Sequence, residues 1–76
     1  MTSLDQLREG DKATLISVDG QPTLRRRLME MGLLPGTPVQ LIRRLELSGV
    51  LELEVRRSRL SLRHAEATHL HVVAIA

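Results

Sequence analysis

The chain contains no cysteine, phenylalanine, tyrosine or tryptophan. Without cysteine, neither a disulfide nor a thiolate-ligated zinc can staple the fold. Without aromatics, packing rests on Leu, Val, Ile, Met and Ala, and the base-stacking platforms of most single-strand nucleic-acid binders are missing. No apolar run approaches the roughly 20 residues that a membrane-spanning helix needs. Asp5 and Glu9 follow closely behind Met1, which is not the charged-then-apolar order of a secretory signal, so a cytoplasmic location is expected. Gly10, Gly20, Gly32, Gly36 and Gly49 are scattered and form no Gly-x-x-x-x-Gly-Lys phosphate loop. Ser3, Ser17, Ser48, Ser58 and Ser61 stand in no motif that would activate a nucleophile. Neither catalysis nor a cofactor is expected.

What is present suits one small domain over residues 1–76, because a chain of this length buries only about 60% of its unfolded surface and cannot support a second core. Eleven Lys and Arg against nine Asp and Glu give a net charge of +2, which fits a generic soluble domain better than a dedicated polyanion binder.

Leu4 to Leu7 reads as a short turn, and Lys12 to Val18 as a strand. Asp19-Gly20-Gln21-Pro22 breaks that strand, and Thr23 is the expected N-cap of a helix of about eight residues ending near Met31. Leu24, Leu28 and Met31 fall at i, i+4 and i+7 and form its buried stripe. Gly32 can take the left-handed conformation that ends a helix, and Leu34-Pro35-Gly36-Thr37 has Pro and Gly where a type II turn needs them. A second strand follows from Pro38 to Glu46. Leu47-Ser48-Gly49 is expected to be a three-residue hairpin loop, pairing Leu45 with Leu51, Leu41 with Val55 and Arg44 with Glu52, whereas a two-residue loop would set Leu45 against Glu52. Leu60 to Leu62 is a further strand, His64 to Ala67 a single helical turn, and Leu70 to Ile75 the last strand. Short strands, tight turns and one inserted helix predict a mainly β, five-stranded antiparallel barrel.

The run Arg27-Leu28-Met29-Glu30-Met31-Gly32-Leu33-Leu34-Pro35-Gly36-Thr37 resembles the most recognisable part of the FeoA family. Leu4, Leu7 and Gly10 match at the front, and Leu60-Ser61-Leu62-Arg63 with Ala67 near the end. Two positions depart from the family pattern. Many members carry Asp-Pro in the central hairpin, where this chain has Gly49-Val50, and Gly before the fourth strand, where it has Arg57-Ser58. The resemblance implies an SH3-like barrel and a cytoplasmic accessory protein of ferrous-iron uptake. By the same resemblance, its partner is a FeoB-type permease with a GTPase domain, met at the inner face of the membrane without insertion into it.

Arg25, Arg26 and Arg27 crowd the helix start, where the positive end of the macrodipole disfavours cations, so something other than helix stability favours them. Arg27 lies near the edge of the buried stripe and covers it with its methylenes. Met29 lies about 100° around the helix from Leu28 and faces away from the stripe. With Leu33 and Leu34 it would form an apolar patch framed by Arg25 and Arg26, the character of a partner surface. His69 and His71 share one face of the last strand, with His64 nearby. Lacking an evident carboxylate at fixed spacing, they are opportunistic, weak metal candidates and predict no physiological site. A second functional reading is a nucleic-acid-binding barrel using Arg43, Arg44, Arg56, Arg57, Arg59 and Arg63 together with the helix arginines. A third is the SH3-like regulatory domain of metal-dependent repressors. Self-association remains compatible with all three.

Overall fold

The computed structural model describes residues 1–75. Six strands form one antiparallel sheet in the order β1-β6-β2-β3-β4-β5. They are β1 (Thr2–Ser3), β2 (Lys12–Val18), β3 (Pro38–Leu45), β4 (Val50–Val55), β5 (Ser58–Arg63) and β6 (Leu70–Ala74). Helix α1 (Pro22–Glu30) is inserted between β2 and β3, and a one-turn helix α2 (His64–Ala67) links β5 to β6. Five strands are those the sequence predicts. The sixth, β1, is a two-residue edge pairing Thr2 with Val72 and Ser3 with His71, too short to leave a hydrophobic period. The sheet is strongly bent rather than closed, since β1 and β5 do not pair.

Two bulges supply the bend. Ile16 is an extra residue in β2 between the pairs Leu15–Val72 and Ser17–His71. Ile42 is an extra residue in β3 between Leu41–Leu53 and Arg43–Glu52. A bulge increases local twist and turns the strand, which lets one ladder wrap around a core that a flat sheet would leave exposed. Leu15, Leu28, Leu41, Leu51, Leu53, Leu62, Leu70 and Val72 fill that core almost completely shielded from solvent. Leu4 and Leu7 join them from the 3-10 turn Leu4–Gln6.

The hairpin register differs from the expected one. Leu45 pairs with Val50, Arg44 with Leu51 and Arg43 with Glu52, so the loop has four residues, Glu46 to Gly49. Gly49 is left-handed (φ 68°) as expected, but its N–H returns to the Leu45 carbonyl at 2.9 Å and so includes Glu46 in the turn. Arg43, not Arg44, faces Glu52, and its Nε donates to the carboxylate at 2.8 Å. Arg44 shares a face with Leu51 and spans the end of the core, where its Nη2 donates to the carbonyls of Asp5 (2.7 Å) and Leu7 (2.6 Å).

Helix α1 begins two residues earlier than expected. Pro22 occupies the first helical position, where its missing N–H costs nothing, and Gln21 rather than Thr23 is the cap, without a side-chain hydrogen bond. Leu28 is fully buried, and Leu24 and Met31 pack half-buried against the core, which confirms the stripe. The helix ends in a Schellman motif. Gly32 (φ 98°) donates to the Met29 carbonyl at 3.0 Å, and Leu33 donates to that of Leu28 at 3.2 Å. The type II turn follows as the sequence predicts, with Thr37 N–H on the Leu34 carbonyl at 3.1 Å and Gly36 at φ 91°. Leu15 ties this turn to β2 from both sides, its N–H donating to Thr37 and its carbonyl accepting from Gly36.

Candidate functional site

The outer face of α1 carries the candidate docking surface. Pro22, Arg25, Arg26, Met29 and Glu30 line a shallow groove of about 410 Å³. No acidic residue occupies the first turn, so Arg25 and Arg26 stand near the positive helix end with no carboxylate in that turn to offset them. Met29 is 37% exposed and forms part of the groove, as its helical phase predicts. Leu34 is exposed to the same extent in the turn beyond but does not line the groove.

Leu33 does not belong to the surface. It is fully buried, because the Schellman motif places the residue after the left-handed glycine against Leu28, three positions back from the cap. The signal was present in the sequence as Leu28, Gly32 and Leu33 at the spacing of that motif. Arg27 is also held elsewhere. Its guanidinium pairs with Glu66 of α2, whose other oxygen accepts the Arg63 N–H at 2.9 Å, so Arg27 fastens the helix to the rest of the fold.

The three histidines do not converge. His64 lies 3.6 Å from Asp5, whereas His69 and His71 share the carboxylate of Asp19. His69 Nδ1 meets Asp19 Oδ1 at 2.7 Å, and His71 Nε2 meets Oδ2. Both imidazoles hold the Asp19 carboxyl below its ordinary value, His71 contributing most. Sequence reasoning found no carboxylate for this pair because Asp19 lies fifty and fifty-two residues away in the chain. Gly20 fits the cluster closely, since a Cβ there would stand 3.0 Å from His69 Nδ1. The cluster thus pins the connection from β2 to α1 against β6, aided by Asp19 N–H on the His69 carbonyl at 2.9 Å. Among the described residues no group of three or more His, Cys, Asp or Glu side chains is arranged to hold a metal ion.

Asp5 is buried with Oδ1 unpartnered, while Oδ2 accepts from Gln6 at 2.9 Å. Burial acts to raise its carboxyl, but the nearby polar groups of Ser3, Gln6 and its own backbone, with the His64 charge, hold it net below the usual value. Of the arginines in the nucleic-acid reading, Arg43 and Arg59 are paired with Glu52 and Glu54, and Arg44 is spent on backbone carbonyls. That leaves no continuous phosphate-tracking stripe built from all six.

A family model described as the FeoA domain matches residues 2–74. The chain belongs to the FeoA family. The FeoA protein of Chlorobium tepidum superposes with a TM-score of 0.91 at 33% identity, over 99% of this chain and 71% of that one. FeoA of Stenotrophomonas maltophilia, solved with zinc, is described as a prokaryotic SH3-domain protein and put forward as a ferrous iron transport activating factor. It superposes with a TM-score of 0.81 at 27% identity, over 96% of this chain and 91% of that one. A curated relative from Porphyromonas gingivalis, an Fe(2+) transport protein A/Fe(2+) transporter FeoB fusion protein, is 27% identical over 73 residues. Those residues are 96% of this chain and 9% of the fusion protein, so the chain spans about a tenth of that relative's length. The mainly β, SH3-like class and the link of the FeoA family to ferrous iron transport agree with the sequence reading. No helix among the described residues is long and apolar enough to cross a membrane.

Proposed function

We propose that this FeoA-family chain is a cytoplasmic accessory protein of ferrous-iron uptake that docks on a FeoB-type permease through the outer face of α1. The supporting observation is the relative in which a FeoA segment and a FeoB transporter share one polypeptide, since covalent fusion keeps two domains at high effective concentration. The docking elements are Arg25 and Arg26 for an acidic rim and Met29 for an apolar seat, with Leu34 at the margin. The protein contributes no catalytic step in this reading, and any nucleotide hydrolysis belongs to the permease.

Charge reversal tests it. Arg25→Glu with Arg26→Glu changes only exposed side chains and should move stability by about 0.5 kcal/mol or less. The variant should nevertheless lose co-purification with the permease from native membranes and slow ferrous-iron uptake. A folded variant with normal recovery and uptake would refute the helix as the docking face.

A further inference from the structure

We propose that the free edge of β5, together with the arginine turn before it, accepts an extended acidic segment of another polypeptide as an added strand. This surface is separate from the α1 groove and does not rest on it.

β5 is the last strand of the sheet and pairs with β4 alone. Its second row of backbone groups, on Arg59, Ser61 and Arg63, has no backbone partner among the described residues, and only the Arg63 N–H is already given, to Glu66 Oε1 at 2.9 Å. The strand runs six residues, Ser-Arg-Leu-Ser-Leu-Arg, without proline, glycine or a bulge, the devices that would blunt an edge. Such a row is a template for strand addition, in which main-chain bonds supply affinity and alternate side chains supply choice of partner.

The choice here is acidic. Leu60 and Leu62 turn toward the core, while Arg59, Ser61 and Arg63 turn to solvent. Arg56 and Arg57 precede them in the two-residue turn between the paired residues Val55 and Ser58. Among the described residues Glu54 is the one carboxylate paired with any of these four arginines, and it meets Arg59 at 3.3 Å on an exposed surface.

The turn adds an independent observation. Arg56 (φ 51°) and Arg57 (φ 69°) both stand in the left-handed region, the type I′ geometry that Asn-Gly satisfies without strain. Two consecutive arginines there are a local cost with no ion pair among the described residues to offset it. Their charge is what the site retains.

A second copy of the chain is the less suited occupant. An antiparallel two-fold pairing of β5 with itself centred on Ser61 sets Arg59 opposite Arg63, and one centred on Leu60 sets Arg57 opposite Arg63. Like charges directly opposite destabilise such ladders. A partner strand with carboxylates at alternate positions on one face meets Arg59 and Arg63 instead.

The test uses the whole protein, isotope-labelled for NMR, and a blocked synthetic peptide Glu-Val-Glu-Thr-Glu-Val. Saturable shifts and slowed amide exchange confined to residues 56–63 are expected. Arg59→Ser with Arg63→Ser should weaken binding roughly tenfold, the effect of losing two cross-strand charge pairs. The same peptide N-methylated at its central glutamate, whose N–H faces β5, should not bind, nor should the Lys-for-Glu version. Equal binding of the N-methylated peptide, shifts centred on Arg25 and Arg26, or no saturation at millimolar peptide would each overturn the proposal.

Discussion

Replacing Arg56-Arg57 by Asn-Gly should make the protein more stable, although it deletes two charged residues and adds a flexible one. Both positions hold positive φ, 51° and 69°, in a two-residue hairpin turn. A side chain in the left-handed region costs roughly 1–2 kcal/mol per residue, less for Asn and nothing for Gly. Against this, glycine loses more conformational freedom on folding, which returns about 0.5–1 kcal/mol. Neither arginine makes an ion pair among the described residues, so little else is lost. The net expectation is a gain of about 1 kcal/mol, or about 4–8 °C in Tm for a domain of this size. Urea and thermal unfolding measure it, and an unchanged m-value would show that the unfolded state has not shifted. Stability equal to or below that of the parent would refute the strain argument and mean that the arginine side chains themselves hold the hairpin. The same variant should bind the acidic peptide more weakly, so stability and binding are expected to move in opposite directions.

Leu28→Ala should cost roughly 2–5 kcal/mol in chemical unfolding, because Leu28 is fully buried and stands at the Schellman contact with Leu33. Met29→Asp, on an exposed groove residue, should leave unfolding within about 0.5 kcal/mol while reducing permease recovery, and a large stability loss would show that Met29 is core. Asp5 and Asp19 both have folded-state values below their ordinary ones, so their stabilisation is fully present above about pH 4 and is lost as pH falls through the depressed values. Asp19→Asn should therefore flatten the acid limb of a pH–stability profile, and an unaltered limb would exclude a stabilising role for the histidine cluster. Anaerobic calorimetry with ferrous iron should show no saturable micromolar site, given that His64 and the His69–His71 pair face different carboxylates. A stoichiometric heat abolished by His69→Ala with His71→Ala would reverse that conclusion.

The sequence by itself determined the features that depend on near neighbours. The α1 stripe, the glycine that ends the helix, the Pro35-Gly36 turn and the positions of five strands follow from apolar period and from the φ limits of proline and glycine. The exposure of Met29 follows from helical phase, and the burial of Leu33 was equally local, written in the spacing of a Schellman motif. Other features were settled only when distant segments met. The bulges at Ile16 and Ile42 answer to the curvature of the whole sheet, and the one in β3 helps set which arginine faces Glu52. Asp19 finds its histidines, Arg27 finds Glu66 and Arg44 finds the carbonyls of Asp5 and Leu7 across separations of 37 to 52 residues. Local backbone preference is decided within a few bonds, whereas the partner of a long polar side chain depends on which surfaces the closed core brings within its reach.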